Sequence, residues 1–141
     1  MYSILKNCKI SIQSLKSADN ETLTGAGVDM LGFDSVIFIP FALKGEALSF
    51  TIKAQQAQIS DYSDAADLAG TSVTFATTVG ADALSGLEIH KPSERYVRPV
   101  TAVPNAAVAT PTAVLAIQFN AKDLPQTNSG ELHVSPAEGT A

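Results

Sequence analysis

The chain has 141 residues, the size of one ordinary domain, and its 14 Asp and Glu against 9 Lys and Arg leave a net charge of −5. That balance, with the basic residues scattered, argues against nucleic acid or an anionic membrane as partner. Charged residues make up 16% of the chain, against about 25% in a typical soluble domain, which points to a surface partly covered by a partner.

Residues 1–16 hold no unbroken apolar run, because Lys6, Asn7, Cys8 and Lys9 interrupt it. The segment does not read as a signal peptide, and no stretch reaches the roughly 18–20 apolar residues that span a bilayer. The expectation is a protein made in a cytoplasm and not exported by the usual route. Cys8 is the single cysteine, so no intrachain disulfide forms, and it reads as a small, partly buried hydrophobe. Residues 1–9 read as an N-terminal arm, 10–135 as one β-sandwich domain, and 136–141 as a loose tail of small and polar residues.

The dominant period is two. Ile10 and Ile12 share one face of a first strand. In the segment 48–54, Leu48, Phe50, Ile52 and Ala54 share one face and Ser49, Thr51 and Lys53 the other. Segment 71–77 repeats the pattern with Val73 and Phe75 inward, and 113–119 does so with Leu115, Ile117 and Phe119 inward. Leu87 with Ile89, and Leu132 with Val134, mark shorter strands. Turn residues separate the runs, and Lys44-Gly-Glu-Ala47 reads as a hairpin loop between two strong strands. Residues 102–112 form the most loop-like interior stretch. Asp61 to Leu68 has the composition of one or two helical turns capped by Ser60 or Asp61, and Gly80 to Leu84 of another. The whole predicts an all-β, antiparallel β-sandwich of about eight strands with little helix.

One strand has two apolar faces. In Phe33-Asp-Ser-Val-Ile-Phe-Ile-Pro-Phe-Ala-Leu43 the odd face carries Phe33, Ile37, Ile39, Phe41 and Leu43, and the even face Val36, Phe38, Pro40 and Ala42. A two-layer sandwich consumes one face, here assigned to the odd residues, so the even face needs another cover. The N-terminal segment, a long loop and a second subunit are the candidates. An exposed patch of this kind is rarely tolerated on a monomer. The expectation is a homo-oligomer, dimer or trimer, with Tyr2, Ile4, Leu5, Val36 and Phe38 at or near the contact. Pro40 cannot donate to a ladder, which places it at an edge or a bulge.

The groups that could carry chemistry are sparse. His90 and His133 sit on polar faces of short strands, as a metal pair or, as we weigh it, as two solvated imidazoles, since metal sites usually need three or four ligands. Asp61, Asp64 and Asp67 lack the sixth-position Gly and terminal Glu of a calcium loop. Gly25-Ala-Gly27 is a lone GxG with no helix after it, and GxSxG, HExxH and CxxC are absent. The expectation is a protein that is not an enzyme and holds no metal or cofactor. In Lys91-Pro-Ser-Glu-Arg-Tyr-Val-Arg-Pro-Val100, alternation puts Tyr96 and Arg98 on one face and Arg95 and Val97 on the other. The arginines are either carboxylate clamps of an interface or an ordinary surface pairing.

The order Gly32-Phe-Asp-Ser-Val-Ile-Phe-Ile39, Phe50-Thr-Ile-Lys-Ala-Gln-Gln56, Asp61-Tyr-Ser-Asp64, Val73-Thr-Phe75, Arg95-Tyr-Val-Arg-Pro99 and Leu132-His-Val-Ser-Pro136 resembles the capsid decoration, or cement, proteins of tailed bacteriophages, short-tailed ones especially. The resemblance runs from about residue 10 to the end of the chain. It implies a jelly-roll sandwich on the outer surface of the virion capsid, forming small homo-oligomers that clamp adjacent subunits of the phage major capsid protein. Two readings compete with it. One is a receptor- or carbohydrate-binding β-sandwich of a phage tail or adhesin, which would want an aromatic site in a chain without Trp. The other is a small cupin-like hydrolase or isomerase, which would want inward metal ligands.

Overall fold

The computed structural model describes residues 3–15, 22–41, 48–77, 86–102 and 113–129. In chain order they form α1 (Ile4–Asn7), β1 (Lys9–Leu15), β2 (Leu23–Thr24), β3 (Val28–Asp29), β4 (Phe33–Phe41), β5 (Leu48–Ala57), β6 (Ala66–Asp67), β7 (Val73–Thr77), β8 (Leu87–His90), β9 (Tyr96–Ala102) and β10 (Ala113–Ala121). Among the described residues the fold is all-β, antiparallel and almost without helix. The described residues hold ten strands where about eight are expected for the chain. The two-residue strands β2, β3 and β6 are too short for any periodicity to reveal.

The strands make two sheets. Sheet A has the order β1-β10-β4-β8. Sheet B has the order β2-β9-β5-β6, with β3 also on β9 and β7 also on β5. Core side chains come from both, Val36, Phe38, Leu87, Ile89, Val114 and Ala116 from sheet A and Phe50, Ile52, Ala54 and Val97 from sheet B. The sheets therefore pack face to face in the manner of a sandwich. As expected, Phe50, Ile52 and Ala54 share an inward face, as do Leu87 and Ile89. Phe75 packs against Phe50 at 5.4 Å between ring centres, while Val73, on the same face, is exposed at its end.

Three expectations are corrected. The strands flanking residues 42–47 do not make a hairpin, because β4 lies in sheet A and β5 in sheet B, where β5 pairs with β7 and β9. Residues 61–68 form turns and the short β6 instead of a helix. There the Asp64 carboxylate accepts from the backbone N–H groups of Gln58 and Ile59, and Asp61 from that of Ser63, local bonds that compete with a helix. The third correction concerns the faces of β4 and β10. Val36 and Phe38 are 0% exposed and lie in the core, so the even face is the inward one. On β10 the inward residues are Val114, Ala116 and Gln118, and Leu115, Ile117 and Phe119 point outward. Cross-strand register supplies the reason. Phe38 stands opposite Ala116, Val36 opposite Gln118 and Pro40 opposite Val114. The bulky Phe38 ring fits only where its neighbour is small, and the inward side of β10 is the small side. The expected turn at 80–84, the strand at 132–134 and the tail lie outside the described residues.

The outer face of sheet A is consequently apolar. Its rows read Ile10, Ile117, Ile37, then Ile12, Leu115, Ile39, then Leu15, Ala113, Phe41, with Phe119 at one end. A bulge at Gln13 makes the third row possible: the register slips between Ile12 and Ser14, so Ile12 and Leu15 face the same way although three residues apart. Gln13 itself is buried, its Oε1 accepting from Gly27 N–H at 2.7 Å. Pro40 keeps an edge position, since β8 accompanies β4 only from Ser35 to Phe38.

Pro99 is the converse case, a proline in an inner strand. Its carbonyl accepts from Gly25 N–H at 2.8 Å, so its absent N–H faces the same side. There β2 ends and β3 has not begun. β2 pairs with Val100 and Thr101, β3 with Tyr96 and Val97, and Gly25 to Gly27 step past the proline between them. Gly25 has no room for a Cβ, which would stand 2.6 Å from Pro99 Cδ. On the other side of β9, the partner of Pro99 is Ala54 of β5, whose N–H and C=O bond to Thr71 Oγ1 and Leu68 N–H instead of a strand.

Residues 126–128 run beside α1. Gln126 N–H donates to the Lys6 carbonyl, and the Asn128 amide donates to the carbonyls of Leu5 and Cys8 while its Oδ1 accepts from Ile10 N–H. Phe38→Ala should lower the unfolding free energy by about 3–5 kcal/mol, whereas Ile12→Ala, on the outer face, should cost under about 1 kcal/mol. Urea midpoints of the two variants check the assignment of faces.

Candidate functional site

Two outer surfaces differ in kind. Sheet A presents the apolar rows just described, with Ile12 62%, Leu15 65% and Phe41 36% exposed and the others half-buried. Sheet B presents a polar, aromatic and cationic surface. Its middle is β9, where Val97 and Pro99 go inward and Tyr96 and Arg98 outward, as alternation predicts. Arg95 precedes the strand and is exposed.

These side chains are held in one continuous arrangement. Arg95 makes a two-pronged pair with Asp29, Nε to Oδ1 at 2.8 Å and a terminal nitrogen to Oδ2 at 2.6 Å. Its guanidinium lies 5.2 Å from the Tyr96 ring centre. Tyr96 meets Tyr62 edge-on at 6.3 Å, and the Arg98 guanidinium sits 4.6 Å above the Tyr62 ring. Arg98 Nε donates to Gln55 at 2.9 Å, Gln55 donates to Asp67 at 2.8 Å, and Lys53 pairs with Asp67 at 2.6 Å. Asp29 and Asp67 are held below the ordinary carboxylate range, Asp29 chiefly by its hydrogen bond from Arg95 and Asp67 chiefly by that from Lys53.

Tyr62 is the anchor that sequence reasoning missed. It has φ of +60°, an uncommon conformation for a bulky residue, in the turn fastened by Asp61 and Asp64. Its hydroxyl donates to the Val97 carbonyl at 3.1 Å and rests against Gly27, where any Cβ would collide with it. Gly27 also has φ of +88°, so two requirements for glycine coincide. Desolvation pushes the Tyr62 phenol up to about 12, with Arg98 opposing. The GxG pair and the acidic turn were both visible in the sequence, and nothing there linked them to each other.

The remaining predicted residues fall elsewhere. Val36 and Phe38 are in the core and absent from the surface of one chain. Ile4 is 59% exposed and Leu5 half-buried on α1, and Tyr2 lies outside the described residues. His90 Nδ1 is 2.6 Å from Ser35 Oγ, and His133 lies outside the described residues. The three aspartates of the acidic turn point to separate partners. Among the described residues no group of three His, Cys, Asp or Glu is placed to hold a metal ion. Cys8 is buried, which raises its thiol pKa. An open hollow of about 350 Å³ between the β3–β4 and β8–β9 connections mixes Asp34 and Glu94 with Lys91, Arg95 and Lys122.

The geometry defines a class: a β-sandwich whose organised surfaces are broad strand faces. No family model, no curated protein and no solved structure matches the chain.

Tyr62 is raised above its unfolded pKa of 10, so its contribution to stability is whole below that pH and is lost as pH rises toward about 12. Tyr62→Phe should remove that loss, and the component titrating near 12 should vanish from the phenolate absorbance. Gly27→Ala should destabilise by more than Tyr62→Phe, whose lost hydrogen bond is worth about 1 kcal/mol. Thermal unfolding of both variants measures the order.

Proposed function

We propose that the protein is a non-catalytic capsid decoration protein of jelly-roll type, which binds the outer surface of a phage head and clamps adjacent major capsid subunits. Its place is the virion exterior, and it acts as a small homo-oligomer without a cofactor. The observation that carries the reading is the braced surface of Arg95, Tyr96, Tyr62 and Arg98. Tyr and Arg dominate the energetic centres of protein interfaces, and here each is immobilised beforehand by Asp29, Gln55 or a neighbouring ring. Bracing lowers the entropy lost on docking. A decoration protein needs nothing further, because a protein that binds the assembled shell and not its loosened form stabilises it by mass action. Broad strand faces suit a shell lattice better than a pocket would. The resemblance of the segments 32–39 and 95–99 to the cement family supplies the kind of partner.

The test is co-sedimentation with emptied heads assembled from the major capsid protein of the same genome. The wild type should saturate the heads and raise their thermal release temperature. Arg98→Ala, which also frees Tyr62 and Gln55, should weaken binding at least tenfold while the far-UV spectrum keeps its β form. Failure to bind such heads, with binding to a glycan array instead, favours the receptor- or carbohydrate-binding reading and ends this one.

A further inference from the structure

We infer that the outer face of sheet A seats the same face of a second copy of this chain, giving a two-fold dimer in which the two β-sandwiches stack sheet on sheet. The surface is independent of the braced Arg and Tyr side chains, and the inference holds whatever those side chains bind.

The first ground is charge. The chain carries −5, so two copies repel wherever charged faces approach. On β1, β10 and β4, the residues that point outward by register are Ile, Leu, Phe, Ala and Ser, with no Asp, Glu, Lys or Arg among them. Glu88 and His90 on β8 stand at its margin. A partner of opposite charge would be drawn to the charged faces. A copy with the same charge is best received on the face that has none.

The second ground is extent. Three strands about 4.8 Å apart and seven residues long make a patch of roughly 300–400 Å² before side-chain relief is counted. That is the size of the largest apolar patch on a typical protein surface, a patch that is often a contact site. It is also about half of the roughly 800 Å² per partner in a standard interface, the share expected of an apolar centre inside a polar rim. The third ground is shape. The rows are those of a sandwich interior, and a two-fold operator needs one self-complementary patch. The bulge at Gln13 lengthens the patch by turning Leu15 outward beside Ala113.

Sedimentation equilibrium of the full chain at tens of micromolar tests this. The expected result is a dimer that tightens as salt rises, because salt screens the repulsion and leaves the apolar contact intact. Binding through Arg95 and Arg98 should weaken with salt, so the two surfaces are told apart. Ile12→Asp and Leu15→Glu change exposed side chains on an edge strand and spare the core. Each should weaken dimerisation at least tenfold with the urea midpoint of the monomer retained, and Lys53→Ala, on the opposite face, should not. A wild-type monomer across the range overturns the inference. So does a dimer indifferent to both substitutions. Loss of head binding in Ile12→Asp from a monomeric wild type would assign the face to the shell protein instead.

Discussion

Phe38 stands opposite Ala116 with its ring between the sheets, and the space that ring occupies decides which side of β4 is spent on the core. With side chains alternating along every strand, that choice propagates through register. Val36 and Pro40 go in with Phe38, Ala116 draws in Val114 and Gln118, and Ile37, Ile39, Leu115 and Ile117 are left outside. Burying one aromatic ring is worth roughly 1.5–3 kcal/mol, and flipping the strand would bring inward a face whose central neighbours on β10, Leu115 and Ile117, are large. The greasy exterior of sheet A is thus the remainder of a packing decision made on its interior.

Sheet B is governed by a different constraint, the missing donor of Pro99. The glycines that step around it bring Gly27 under the Tyr62 hydroxyl, and that contact holds the turn carrying Tyr62 against β9. Tyr62 then offers its ring to Arg98 and its edge to Tyr96. The organised outer surface of this sheet therefore begins with a backbone hydrogen bond that cannot form. The two faces of the molecule differ because one is set by volume and the other by backbone pairing.

The fold class was legible because alternation survives in a single sequence, and the inward residues of β5 and β8 were correctly placed for the same reason. The faces of β4 and β10 were not. Alternation says which residues share a face and is silent on which face goes in, and larger hydrophobes on the outside of β10 invert the usual guess. Telling them apart needed the pairing of Phe38 with Ala116, a relation 78 positions apart. Lys44 to Ala47 looked like a hairpin because a Gly between two strong strands says nothing of whether those strands share a sheet, and here β4 and β5 lie in different ones. Arg95, Tyr96 and Arg98 stood out in the sequence. Tyr62, Asp29 and Gln55, which hold them, did not, since each acts across the fold. The helix expected at 61–68 failed because aspartates that cap a helix also bond the backbone of turns.

Ala54 and Pro99 face each other across the centre of sheet B, and on both flanks the strands that would continue the ladder are interrupted at the same level, by Gly25 to Gly27 and by Leu68 to Thr71. The interruptions fall on one line running across the sheet. On the flanks, pairing resumes above and below that line, and along it the connections are a glycine step and a side-chain hydroxyl, while β5 and β9 stay paired straight through. The interruption is therefore confined to the two outer tiers of the sheet, β2 with β3 and β6 with β7. The line passes beside Gln55 and Arg98, whose hydrogen bond joins the aromatic part of the polar surface to the Asp67–Lys53 pair, so the two parts of that surface are tied together at the level where the outer strands give way.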